Sequence, residues 1–406
     1  MGTELVEQIE SAMAWAQQRV RRLIQAHPGL YPLFTLDGRW KHNKPHWTNW
    51  CDGFLPGMMW MFLESGLADD SGYWRAQAEK YSVGLDARKD DREVHTLGFI
   101  FYHGAHKRWY EATVIDERPD PAPREVAIHA ARVLSQRFNR VGKFLGAFLG
   151  NDSMLIDALM NVPLLLWAAN ETGDHQLHQI GVQTIWTARK FLVRGDGSVG
   201  QQAIFDLRSG EFLRYATEQG FRSDSTWSRG LAWSMYGFID CYGWSKEPRF
   251  LETAELNARF FLERTPPDGV PPWDYDAPET GSVSRDQTDS SAAAIAACAL
   301  FMLARTLGET PRAAAYRKAA LSIVNTLTRP PYLTHDPDWD GILKGGVYHI
   351  HKDLGVNESV MWGDFYFVEA LTMALSALSR KPPAAPTPPT SPLAEKTPAT
   401  EVQQAR

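Results

Sequence analysis

The chain has 406 residues, 44% of them hydrophobic and 12% aromatic, with a formal net charge of −6. That is ample material for a large core, and without any long basic run it argues against a nucleic acid as partner. Three cysteines, Cys51, Cys241 and Cys298, stand far apart with no C-x-x-C pair, so neither a disulfide framework nor a zinc site is indicated.

Residues 1–20 lack the basic start and continuous apolar run of a signal peptide. Met1-Gly2 opens like a myristoylation motif, but Val6 stands where Ser or Thr is required. No segment approaches ~20 uninterrupted apolar residues, so no membrane span is expected and the protein reads as cytoplasmic. Residues 4–27 read as an amphipathic helix ended by His27-Pro28-Gly29, and residues 31–50 as a Trp-, His- and Asn-rich loop turning at Asp37-Gly38.

From Cys51 almost to Arg380 helical patterns alternate with short turns, and period-two strands are scarce. Units repeat. Trp167 and a polar turn lead into a helix ending A-R-K-F-L (188–192), and Tyr242 and a polar turn into one ending A-R-F-F-L (258–262), each followed by an Asp-Gly turn. Phe62 and Leu303 open similar units. Repeated helix pairs imply an open solenoid or a closed ring. The long irregular loops 196–226 and 264–290 are where a site is expected. Fifteen tryptophans serve as large core fillers, as platforms for a weakly hydrophobic ligand such as a sugar, or as both.

Within the chain, residues 150–167, G-N-D-S-M-L-I-D-A-L-M-N-V-P-L-L-L-W, form an apolar run with no polar face, which predicts burial. Asp157 and Asn161 stand four apart and so share one side of a helix. A carboxylate in such surroundings either finds donors or takes up a proton, and an acid that holds its proton is what general acid catalysis needs; the alternative is that Asp157 braces nearby backbone. Arg229 and Trp233 share a helix face after the start cluster Ser223-Asp224-Ser225. They offer a fork for a carboxylate and a plane for a sugar ring, or else an arginine stacked on core tryptophan. Asp289 reads as the cap of a small-residue helix. His95 and Thr96, before Leu97-Gly98-Phe99, are candidates to face the same cavity, the alternative being that His95 is a satisfied structural residue. His349 and His351 form a conceivable metal pair but have no third ligand at metal spacing, and no cofactor motif appears. Residues 382–406 carry seven prolines and almost no large apolar groups, so the expected organisation is one catalytic domain over 1–380 and a disordered tail over 381–406.

The motifs W-T-N-W-C-D-G-F-L-P-G-M-M-W (47–60), H-T-L-G-F (95–99), I-D-A-L-M-N-V-P-L-L-L-W (156–167), D-S-T-W-S-R-G-L-A-W (224–233), D-G-V-P-P-W-D-Y-D-A-P (268–278), D-S-S-A-A-A-I-A (289–296) and W-G-D-F-Y-F-V-E-A-L (362–371) resemble those of unsaturated glucuronyl hydrolases, glycoside hydrolase family 88. The likeness runs in order from about residue 10 to 378. It implies an all-α, (α/α)6 barrel of six helical hairpins. It also implies action on acidic oligosaccharides that polysaccharide lyases leave with a C4=C5 double bond in a terminal uronic acid. The family hydrates that vinyl ether through an aspartic acid, which Asp157 matches, without a cofactor. Trp50, Gln219, Arg229 and Trp233 match residues lining the sugar pocket, and His95, Thr96, Asn161 and Gln201 complete the candidate set. Three positions depart from the pattern: Thr96 replaces an aspartate, and Gln201 and Glu218 replace histidines. Two rival readings therefore stand beside the first, a related barrel enzyme for another unsaturated or oxidised sugar and a catalytically silent sugar-binding protein.

Overall fold

Two kinds of helix alternate along the chain, and their composition decides where each lies. In the computed structural model, which describes residues 2–41, 50–333 and 335–378, they are α1 (Gly2–Ala26), α2 (Phe54–Glu64), α3 (Ser71–Val83), α4 (His106–Ile115), α5 (Pro121–Ser135), α6 (Ala158–Thr172), α7 (His175–Phe191), α8 (Ser228–Ser245), α9 (Pro248–Arg264), α10 (Ser290–Leu307), α11 (Pro311–Leu327) and α12 (Met361–Leu378). The odd-numbered helices bury one stripe: in α9, Phe250, Ala254, Ala258 and Phe261 follow the 3.6-residue period and are buried. Of the even-numbered ones α4 is the exception, with only His106 and Thr113 buried; α2, α6, α8, α10 and α12 are buried over most of their length, α6 without a break from Ala158 to Ala169. A helix with no polar face must be enclosed, so these form an inner ring and the amphipathic ones an outer ring.

The inner ring closes. α6 packs on α8, α8 on α10, α10 on α12 and α12 on α2, while a buried π-helical turn, Phe99–Gly104, leading into α4 fills the gap between α2 and α6. α1 packs against α12, so the first and last helices meet. The result is the (α/α)6 barrel expected from the helix pairs. By length and composition α10 is apolar enough to cross a membrane (mean hydropathy 1.6), yet most of it is buried, and α8, α11 and α12 surround it.

Side-chain caps mark the starts of the outer helices, and among the inner ones that of α10. The outer helices α3, α5, α7, α9 and α11 each start on a side chain that accepts a backbone N–H: Asp70, Asp120, Asp174, Glu247 and Thr310, three of them followed directly by proline. These caps, with Gly173 at φ +72° closing α6, make the short polar turns recognised in the sequence. Inner helices α2, α6 and α8 start without a side-chain cap. Because helices alternate in direction, the inner helices all start at the same end, one mouth of the barrel, where the N–H groups of Phe54, Leu159 and Ser228 bond the carbonyl oxygens of Cys51, Ile156 and Trp273.

That mouth is built from short strands the sequence reading passed over. Ser153–Leu155 pairs antiparallel with Gln202–Phe205, Met154 opposite Ala203, and Phe212–Ala216 adds a third strand. Gly346–His349 pairs with Leu354–Glu358. Strands of two to five residues are too short for a period-two signal to emerge. Asp37-Gly38 does turn a hairpin, with Thr35 opposite Trp40. The expected tail falls outside the described residues, as do positions 42–49 and with them Trp47.

Candidate active site

Asp157 sits where the strand Ser153–Leu155 passes into α6. Ile156 N–H still bonds Gln201 O (2.9 Å), and Asp157 is the residue before the first helical turn. The expectation of an acid engulfed inside an apolar helix is thereby corrected: the side chain is 22% exposed, at the mouth, and does not cap its own helix. The carboxylate instead meets His95, whose Nε2 lies 3.2 and 3.3 Å from its two oxygens. His95 is buried, its ring stacked at 11° on Phe148, and its Nδ1 accepts the Phe148 N–H at 3.3 Å. An Nδ1 that accepts carries no proton, so the hydrogen is on Nε2 and points at Asp157.

The shared side of Asp157 and Asn161 turns out to be a brace. Asn161 is fully buried; its Nδ2 donates to the Asp157 carbonyl oxygen (2.9 Å), not to the carboxylate, and its Oδ1 accepts Phe99 N–H (3.1 Å). This amide pins the π-turn to the start of α6. Gly98 permits the contact, since a Cβ there would meet Asn161 Cα at 2.4 Å. Thr96, next to His95, is buried with a hydroxyl that has no partner among the described residues.

Gln201 and Gln219 are brought together. Gln201 Oε1 accepts the Thr217 hydroxyl and the N–H groups of Glu218 and Gln219 (both 3.0 Å), so it shapes the turn that carries Gln219. Its Nε2 donates to Gln219 Oε1 (3.2 Å), and Gln219 Nε2 donates to Tyr348 O (2.7 Å).

Arg229 is not the free fork the sequence suggested. It is 1% exposed; Nη1 bonds Asp289 Oδ2 (2.9 Å) and Val347 O, Nη2 bonds Tyr348 O (2.9 Å), and the guanidinium lies 4.3 Å from the Trp227 ring centre. Burial lowers its pKa, opposed by the Asp289 charge. Asp289 caps α10 as expected, accepting Ser291 N–H (3.0 Å), and it is also the counter-ion of Arg229. Trp233 is likewise core rather than platform, 2% exposed against Phe99 and Tyr366. Trp50 is half-buried, 4.7 Å from Trp362 and 5.2 Å from Phe99, and of the two it keeps ring surface in reach of the mouth.

Two contributors escaped the sequence reading. Phe148 acts through its backbone N–H, which no side-chain pattern reveals. Tyr348, half-buried, uses its carbonyl to gather Gln219 and Arg229. Its neighbour His349 is buried, neither ring nitrogen has a partner among the described residues, and burial first, then the Lys352 charge, pulls its pKa down to about 4. The His349 and His351 rings are 6.1 Å apart, and among the described residues no three His, Cys, Asp or Glu side chains converge as a metal site.

Compared with known proteins, the chain matches no family model. It is 34% identical to the unsaturated glucuronyl hydrolase of Bacillus sp. (strain GL1), over 82% of this chain and 88% of that one. It is 33% identical to the unsaturated chondroitin disaccharide hydrolase of Streptococcus pyogenes serotype M1, over 80% of each. Among solved structures, an unsaturated glucuronyl hydrolase specific for heparin superposes with a TM-score of 0.82 at 28% identity, over 92% of this chain and 98% of that one.

Proposed function

The chain belongs to the unsaturated glucuronyl hydrolase family, and from that premise we propose that it cleaves acidic oligosaccharides ending in a 4,5-unsaturated uronic acid, with Asp157 as general acid and base. The observation that carries this reading is the Asp157 carboxyl itself, at the mouth, released from capping and oriented by a neutral histidine donor. Protonated Asp157 delivers its proton to C4, the C4=C5 electron pair forms the new C–H bond, and positive charge is shared between C5 and the ring oxygen. Water adds to C5 and returns a proton to the carboxylate, which restores the acid. The resulting hemiketal opens to a ketone, and the sugar beyond the former glycosidic bond departs. Overall one water is consumed. While the carboxyl is ionised between the two proton transfers, His95 Nε2–H stabilises it and holds it in place.

The surroundings fit an anionic sugar. The starts of α2, α6 and α8, none with a side-chain cap, put the positive ends of three helix dipoles at the mouth, which suits a uronate. Trp50 offers the ring face, and the Thr96 hydroxyl, without a partner among the described residues, offers a hydrogen bond. One hydrophobic core joins all the helix pairs, which supports treating 1–380 as a single catalytic domain. Three buried free cysteines fit a reducing, cytoplasmic setting.

The test is a panel of unsaturated disaccharides followed by loss of the conjugated C=C absorbance. Consumption of at least one supports the reading; binding of sugars with no loss of absorbance would mark a silent sugar-binding protein. Thr96 gives a finer check. Thr96→Val removes a buried hydroxyl without a partner among the described residues, so the fold should not be destabilised and should gain up to ~1–3 kcal/mol. If the hydroxyl bonds substrate, kcat/KM should fall roughly 3- to 12-fold, the value of one neutral hydrogen bond. Unchanged kinetics would assign Thr96 to packing. His95→Phe removes the donor to Asp157 and should lower kcat by at least about tenfold, with a smaller effect on KM. An equal loss confined to KM would make His95 a binding residue only.

A further inference from the structure

On the outer face of α1 lies a cavity of about 590 Å³, lined by none of the residues placed at the Asp157 site. Its wall comes from Trp15, Arg19, Arg21 and Arg22 of α1 and from His335 and Pro337 on the loop opposite; no lining residue is acidic. Positions 15, 19 and 22 share a helix face, while Arg21 turns toward Asp69 and Tyr73.

Arg19 is the unusual member. It is 4% exposed, its guanidinium carbon lies 3.9 Å from the centre of the Trp15 ring, and Nη2 donates to the Asp336 carbonyl oxygen. Its Nε–H is buried with no partner among the described residues, and so is the indole N–H of Trp15. Two buried donors without acceptors each cost ~1–3 kcal/mol. Arg22 reaches the same cavity, bonded to Pro337 O (2.7 Å) and 4.0 Å from Asp340, with half its side chain in solvent. Arg21 is held by Asp69 (2.8 Å). An arginine cannot shed its charge, so two buried donors and a neighbouring cation call for a ligand that only accepts.

We propose that this cavity is an oxyanion site, separate from the catalytic pocket, taking a small molecule with a carboxylate or sulfate group on the Arg19 Nε–H and Trp15 indole N–H, with Arg22 as the outer cation. Its volume suits a ligand of one or two sugar rings. A free inorganic oxyanion and an acidic sugar share the required chemistry.

The experiment titrates the full chain with sodium sulfate, sodium phosphate or sodium glucuronate against sodium chloride at matched ionic strength. Melting temperature is read for the wild type, Arg22→Ala and Trp15→Phe. A site predicts a saturable rise of about 2–6 °C in the wild type that chloride does not reproduce. Half-saturation should move at least about tenfold higher in Arg22→Ala, while turnover on unsaturated disaccharide stays at the wild-type rate. The difference in tryptophan emission between wild type and Trp15→Phe should saturate along the same curve, which ties the event to this cavity. Tighter binding of glucuronate names an acidic sugar as the occupant; tighter binding of sulfate or phosphate names the free anion. A rise linear in salt and equal in Arg22→Ala, or an emission difference that does not respond, overturns the proposal.

Discussion

Asp157→Asn is expected to reduce turnover by at least ~10²–10⁴-fold, the usual worth of a positioned acid, and to leave the melting temperature nearly unchanged. Both halves follow from the geometry. Asparagine keeps the shape and still accepts the His95 Nε2–H, but it has no proton to give to C4. The fold does not depend on the carboxylate, because that side chain caps nothing in α6. Steady-state loss of the C=C absorbance and a thermal melt on the same preparation read the two effects separately. A mutant with near wild-type turnover would remove Asp157 from the mechanism.

Arg229→Ala is expected to cost ~3–5 kcal/mol of stability, the cost of stranding a buried charge. The partners are 1% and 0% exposed, so Asp289 would be left ionised in the core, or protonated at similar expense. Two backbone carbonyls, of Val347 and Tyr348, would lose their donor as well. Urea unfolding measures the loss, and the double mutant Arg229→Ala/Asp289→Ala should be less damaged than the sum of the two singles. A wild-type urea midpoint with weakened disaccharide binding would return Arg229 to the role of a substrate clamp.

The ring of helix pairs was legible because its signals are local: an apolar run with no polar face, polar turns with Asp, Glu or Thr before each outer helix, and a length that repeats. Asp157 was legible for the same reason, as the one acid in the run 154–167. Its place at the start of α6 was not. Met154, Leu155 and Ile156 are apolar whether they belong to strand or helix, so periodicity alone cannot say where one ends. Spacing correctly put Arg229 and Trp233 on one face but could not say what that face meets. Asp289 and Val347 arrive from 60 and 118 residues away. His95 was visible, but its tautomer depends on a backbone N–H of Phe148, 53 positions on, which leaves no mark in side-chain chemistry.

The contact between α1 and α12 bears on how the protein is made. The last stave of the barrel leaves the ribosome after every other one. Until α12 arrives, α2 and α10 border a gap, and the apolar lining of the unfinished ring faces water. Synthesis at ~5–20 residues per second holds that open form for seconds, a window in which its exposed lining invites chaperones or other nascent chains. A chain stopped short of Met361 would lack a wall rather than a tail, and it belongs with the aggregation-prone fragments rather than with the tolerated truncations.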